Sequence, residues 1–329
     1  MRPTPGPWVS AGVGSGVILL LRPASGLAHT PIAPGEAWLA WNWDPWILAV
    51  LAVALVMYLR GVGNLWGRAG RDRGISRWRA GSYLLGIWTL YIALISPVHA
   101  LGHTLFSMHM VQHMILMVIS APLLVLGRPL NAYLWALPVA WRRRVGDALR
   151  RRPELQRSWA GVTHPASVLV LHVGALWAWH VPALYEAALE SYLIHTLEHA
   201  SFFFTATLFW WILVSRTSRR SWPGYGAAVL YVFATALQSG ALGALMTFAP
   251  RRWYPGHDAG AHLWEMDALT DQQLAGVLMW VPAGLVYTAA AVALFVAWLR
   301  RTEAEMARRE RTAAFAQMIM DQPDPSARS

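Results

Sequence analysis

Seven apolar stretches, at roughly 45–60, 81–97, 105–126, 166–182, 192–214, 225–249 and 273–299, recur along this chain, and arginines crowd into every second gap between them. A run of about 20 residues with few charges is long enough to cross a hydrocarbon core, where only a helix or a closed barrel satisfies its own backbone. The expected fold is all-α: a polytopic membrane helix bundle of about seven transmembrane helices. The lipid bilayer is its solvent.

The arginine distribution predicts which way the bundle faces. Six arginines lie between Arg60 and Arg79, eight between Arg128 and Arg157, three between Arg216 and Arg220, and six between Arg300 and Arg328. The other connections hold only Arg251 and Arg252 beside six acidic residues. By the positive-inside rule the arginine-bearing gaps are cytoplasmic, so the N-terminus is expected outside and the C-terminus in the cytoplasm. Residues 1–28, with Arg2, an apolar Gly-rich stretch from Trp8 to Leu21 and small residues up to Ala28, read as a signal peptide or signal anchor. Residues 29–44 then form an outer N-terminal segment, 45–300 the seven-span membrane domain and 301–329 a cytoplasmic basic tail. The connection 127–163 has room for a surface helix.

A net charge of +10 suggests nucleic acid as a partner, but the arginines flank apolar runs instead of forming a basic domain, so no nucleic acid is expected. The absence of cysteine removes disulfides, thiolate nucleophiles and Cys-x-x-Cys sites. Any bound metal must use His, Met, carboxylate or backbone. No nucleophile with a base at readable spacing and no phosphate-binding Gly loop stands out, so ordinary catalysis is not expected.

Chemistry concentrates in the histidines. Three His-x-x-x-His pairs, His99/His103, His109/His113 and His195/His199, fall near the side taken as outer, and residues four apart share a helix face. At 1.5 Å per residue, His109 and His195 lie roughly 5 Å below the outer ends of their spans, with His180 near the same level. His113 and His199 lie one turn deeper, and counting up span four puts His172 beside them. Three imidazoles at one level are what a metal site requires. His99 and His103, on the short outer connection, are placed to act as a lid.

On a straight helix His109, His113, Met110 and Met117 fall within an arc of about 100°, and imidazole with thioether favours copper, particularly Cu(I). Glu198, between His195 and His199, is suited to orient an imidazole or to ligate directly. Asp271 and Gln272 open span seven, where an acid is expected to cap its own helix. His257 and His262, in a loop with Asp258, Glu265 and Asp267, read as solvated, and His164 as structural.

Several stretches then combine: HMVQHMILMVISAPLLVLGRPL (109–130), WAWHVPALYEAAL (177–189), HTLEH (195–199), LGALMTF (242–248) and DQQLAGVLMWVP (271–282). In that order and spacing the chain, over roughly residues 38–300, resembles the CtaG family of cytochrome c oxidase assembly factors, the multi-spanning type. The resemblance implies a multi-pass protein of the bacterial plasma membrane that serves assembly of a haem-copper oxidase, with oxidase subunits, other assembly factors or copper chaperones as partners. It carries no established ligand set. The histidine reading therefore leaves open copper delivery, a bis-His haem b protein using for example His113 and His199, and a scaffold or transporter whose buried His and Glu198 satisfy one another. A di-iron oxygenase ranks below these, because no His-His dipeptide occurs.

Overall fold

The computed structural model describes residues 31–216 and 224–320, and among them all regular structure is helical. The expected signal segment lies outside the described residues. Helix α1 (Pro45–Ala69) starts where Asp44 accepts a hydrogen bond from the Trp46 amide at 2.8 Å, with Pro45 in the first turn, and stops at Gly70, whose φ of 91° suits glycine. Then come α2 (Arg77–Ile95), the short α3 (Pro97–Gly102) and α4 (Phe106–Leu126). Helices α5 (Pro129–Ala136), α6 (Val139–Arg151) and α7 (Pro153–Val162) fill the long arginine-rich connection. The chain continues through α8 (Pro165–Trp179), α9 (Pro182–Glu190), α10 (Tyr192–Arg216), α11 (Tyr225–Thr247), a turn of helix α12 (Asp258–Leu263), and α13 (Ala268–Met320).

Five helical segments are long and apolar enough to cross a membrane unaided: Pro45–Ala69, Phe106–Leu126, Tyr192–Val214, Tyr225–Thr247 and Ala268–Phe315. The other two expected spans fall on α2 and α8, and local chemistry accounts for the shortfall. Helix α2 opens on Arg77, Trp78 and Arg79, which lowers its mean hydropathy. Helix α8 has 15 residues, about 22 Å at 1.5 Å each and short of a core about 30 Å thick. It reaches span length only together with α7, from which it is bent by 56° around His164 and Pro165.

The ends alternate as a bundle requires. At one end the Asn42 amide donates to the Ile95 carbonyl, that of Ile32 to Thr104 Oγ1, and the Trp264 indole to Ile32. At the other the Tyr58 hydroxyl donates to Gly127, Asn64 to Trp135, and Trp159 packs on Trp211 at 5.9 Å. The described arginine-rich connections at 60–79 and 128–157 gather at this second end and the histidine pairs at the first. Helices α11 and α13 meet through small residues: a Cβ at Gly276 would lie 2.6 Å from the Gly243 carbonyl oxygen, so the backbones touch where membrane helices gain most from close approach.

Candidate metal centre

Helix α4 carries His109 and His113, and its first turn is anchored from far away in sequence. The Asp271 carboxylate, buried on α13, accepts from the Phe106 amide at 2.7 Å and the Ser107 amide at 3.1 Å. Free amides and the positive end of the dipole make a helix start the natural seat for a carboxylate. Asp271 therefore caps α4 and not its own helix, contrary to the sequence expectation; Asp267 serves α13, accepting from the Thr270 amide at 2.9 Å. Gln272 accepts from the Trp253 amide at 2.6 Å, holding the loop after α11.

Helix α10 faces α4 with His195, Glu198 and His199, three positions that helical spacing puts on one side. The ring centroids of His109 and His113 are 4.2 Å apart, as are those of His195 and His199. Across the helices His109 lies 5.5 Å from His195 and 5.8 Å from His199, and His113 lies 5.1 Å from His199. Glu198 Oε1 sits between the first pair, 3.7 Å from His109 Nε2 and 3.8 Å from His113 Nε2. All five side chains are buried.

These five residues share one defect. Both ring nitrogens of His109 and of His113, Nε2 of His195 and of His199, and Oε2 of Glu198 are buried without a hydrogen-bond partner. Each such group costs about 1–3 kcal/mol, and a whole domain is stable by only about 5–15 kcal/mol. One ligand atom from each of His109, His195, Glu198 and His199 lies within 4.8 Å of the others. Imidazole ligands about 2.0–2.1 Å from a tetrahedral ion stand about 3.3–3.4 Å apart, so a contraction of roughly 1.5 Å closes the set. The residues fit a metal ion by donor type, burial and spacing.

Further groups surround this nucleus. His99 and His103 stand at its mouth, with rings 6.1 and 4.8 Å from His195. His257, read from sequence as solvated, is buried with its ring 6.2 Å from His109 and its Nε2 2.6 Å from the Tyr185 hydroxyl. Burial, then the neighbouring Glu198, holds that phenol well above the ordinary tyrosine range, so it stays protonated beside His257. Phe106, Tyr185 and Tyr254 pack 4.6–5.1 Å apart beside it as an aromatic wall.

His172 and His180 both lie deeper than the level expected of them. His172 Nδ1 is 3.0 Å from Thr205 Oγ1, and its ring stacks on Phe209 at 5.7 Å, more than a turn beyond His199 along α10. His180 terminates α8, its Nδ1 2.7 Å from the Leu176 carbonyl oxygen, and packs 6.2 Å from Phe202, which itself touches His113 at 4.7 Å. Counting 1.5 Å steps from a span end taken as level with the others misplaced both, because α8 ends at Trp179, whose indole donates to Ser201 Oγ at 2.7 Å, well inside α10. A π-helical turn at Ile115–Ser120 likewise breaks the straight-helix arc that aligned Met117 with the histidines. The Met117 carbonyl accepts from the Trp210 indole at 3.0 Å, and Met110, Met117, Met246 and Met279 lie in one hydrophobic core.

Comparison with known proteins agrees with the resemblance. The model of the cytochrome c oxidase caa3 assembly factor family (Caa3_CtaG) matches residues 56–301. Uncharacterised proteins of Mycobacterium bovis and Mycobacterium tuberculosis are each 27% identical over 287 residues, and one of Mycobacterium leprae is 26% identical over 281. The alignments cover 83% of this chain and 41% of the mycobacterial proteins, so the chain spans under half the length of these relatives. No solved structure matches.

Proposed function

The chain belongs to the cytochrome c oxidase caa3 assembly factor family, and from that premise we propose that it holds a copper ion between α4 and α10 and releases it to an oxidase subunit during assembly. The observation that carries the reading is the set of unpartnered buried ring nitrogens on His109, His113, His195 and His199 around Glu198. Three or four imidazoles with a carboxylate suit copper or zinc by ligand type, and the family premise selects copper. More donors than one ion needs, on two facing helices, make ligand exchange easy; that is what delivery demands.

The centre opens to the bacterial cell exterior in this reading. The arginine-rich opposite end supports a cytoplasmic C-terminus, and α2 with the α7/α8 pair brings the five unbroken spans to seven in a plasma-membrane bundle preceded by a signal segment. Partners are oxidase subunits and other assembly factors or copper chaperones. Bis-His haem is the weaker reading: rings 4.2–5.8 Å apart in mutual contact leave a macrocycle no room between them.

Anaerobic titration of the purified full chain with Cu(I) against a chromophoric chelator tests the proposal. One tightly held Cu(I), lost when His109, His113, His195 and His199 are all replaced by Leu, is expected. Equal binding by both proteins, or a Soret band that survives purification, contradicts it.

A further inference from the structure

The outer pair is more than a lid. His103 Nε2 lies 3.3 Å from His99 Nε2, close to the edge length of about 3.3–3.4 Å for two imidazoles on one tetrahedral ion. The His195 ring, 4.8 Å from His103, supplies a third donor on a different helix. His99 and His103 are half-buried whereas His195, His109 and His199 are buried, so the imidazoles form a ladder from the surface inward. The closest link from His103 to His195 spans 4.8 Å and from His195 to His199 4.2 Å, and His199 passes to His113 at 5.1 Å. No step exceeds what a side-chain rotation covers.

We infer that His99, His103 and His195 form a second, outer metal station that captures Cu(I) first and passes it inward, with His195 the ligand common to both stations. This rests on the copper reading of the inner centre.

Gln112 sets the strength of the outer station. Its Nε2 donates both to the Ala93 carbonyl at 2.8 Å and to His99 Nδ1 at 3.0 Å. The His99 proton therefore resides on Nε2, pointed at His103, which is the wrong tautomer for an ion between the two Nε2 atoms. Capture requires the His99 proton to move to Nδ1 and the carboxamide to reverse, so that Gln112 Oε1, buried and without a partner as it stands, accepts from Nδ1–H. That reversal gives up the bond to Ala93. The outer station is thus weaker than the inner one, as an entry point must be, and Gln112 sits one residue from His113 on α4, linking the two.

The test is stopped-flow transfer of Cu(I) from bicinchoninate to the detergent-solubilised full chain, with helix content checked by circular dichroism. His99→Ala/His103→Ala is expected to load the inner centre about tenfold more slowly, because the captured ion no longer has a high local concentration beside it, with an end-point affinity close to wild type. In the reverse variant, His109→Leu/His113→Leu/His199→Leu, one weakly held Cu(I) should remain and disappear on adding His103→Ala. Gln112→Leu should change that weak affinity by about 10–100-fold. Loading at the wild-type rate without His99 and His103, or no Cu(I) on the triple variant, overturns the outer station alone. A wild-type chain that takes up no Cu(I) overturns both stations.

Discussion

Two buried clusters in this bundle, a tyrosine cluster and the histidine cluster, treat their polar atoms in opposite ways. Near the arginine-rich end Tyr58 and Tyr83 stack at 3.6 Å, and the hydroxyls of this tyrosine cluster all find partners: Tyr58 donates to Gly127, Tyr83 to Ala54, and Tyr133 meets Tyr83 at 2.6 Å. In the histidine cluster, rings 4.2–5.8 Å apart leave nitrogens of His109, His113, His195 and His199 unmatched. A satisfied network holds helices in register and is complete without help. An unsatisfied one costs stability that only an added partner returns. The contrast separates polar groups that build the fold from polar groups that await a ligand.

The largest effect that sharpens this contrast is expected at the joint between fold and site. Asp271→Ala removes a charged acceptor from two buried amides and should cost about 3 kcal/mol or more in thermal stability, together with a marked fall in Cu(I) affinity, because α4 loses its anchor. A stability loss with unchanged affinity would show that the cap does not position the histidines.

Next comes a pair of opposite sign. Tyr83→Phe should lower stability by about 1–2 kcal/mol and leave Cu(I) binding alone, whereas His109→Leu/His113→Leu should raise metal-free stability by about 1–3 kcal/mol while weakening Cu(I) binding. Thermal unfolding in detergent without metal reads both. Destabilisation by the leucines would mean the rings support the fold as the tyrosines do.

The smallest effect concerns the methionines. Met110→Leu and Met117→Leu conserve volume in a packed core and should each cost less than about 1.5 kcal/mol, with Cu(I) affinity by chelator competition little changed. A tenfold loss of affinity in either would move that thioether into the ligand set.

Much of this was legible in the chain because helical periodicity is local. The pairs His109/His113 and His195/His199, with Glu198 between, converge because four residues make about one turn, and the described arginine-bearing gaps at 60–79 and 128–157 lie at one end. What escaped was long-range or depended on irregular backbone. Asp271 reaches a helix start 165 residues away, and no local pattern marks that. His257 arrives from a loop without periodicity, His172 and His180 depend on where α8 breaks, and the π turn after Met114 shifts the phase of Met117.

Copper K-edge X-ray absorption on the Cu(I)-loaded full chain tests the central claim most directly. The account predicts three or four nitrogen or oxygen neighbours at about 2.0 Å with outer-shell imidazole scattering, all lost in the variant without His109, His113, His195 and His199. A shell dominated by sulfur at about 2.3 Å, or an unchanged imidazole shell in that variant, would contradict it.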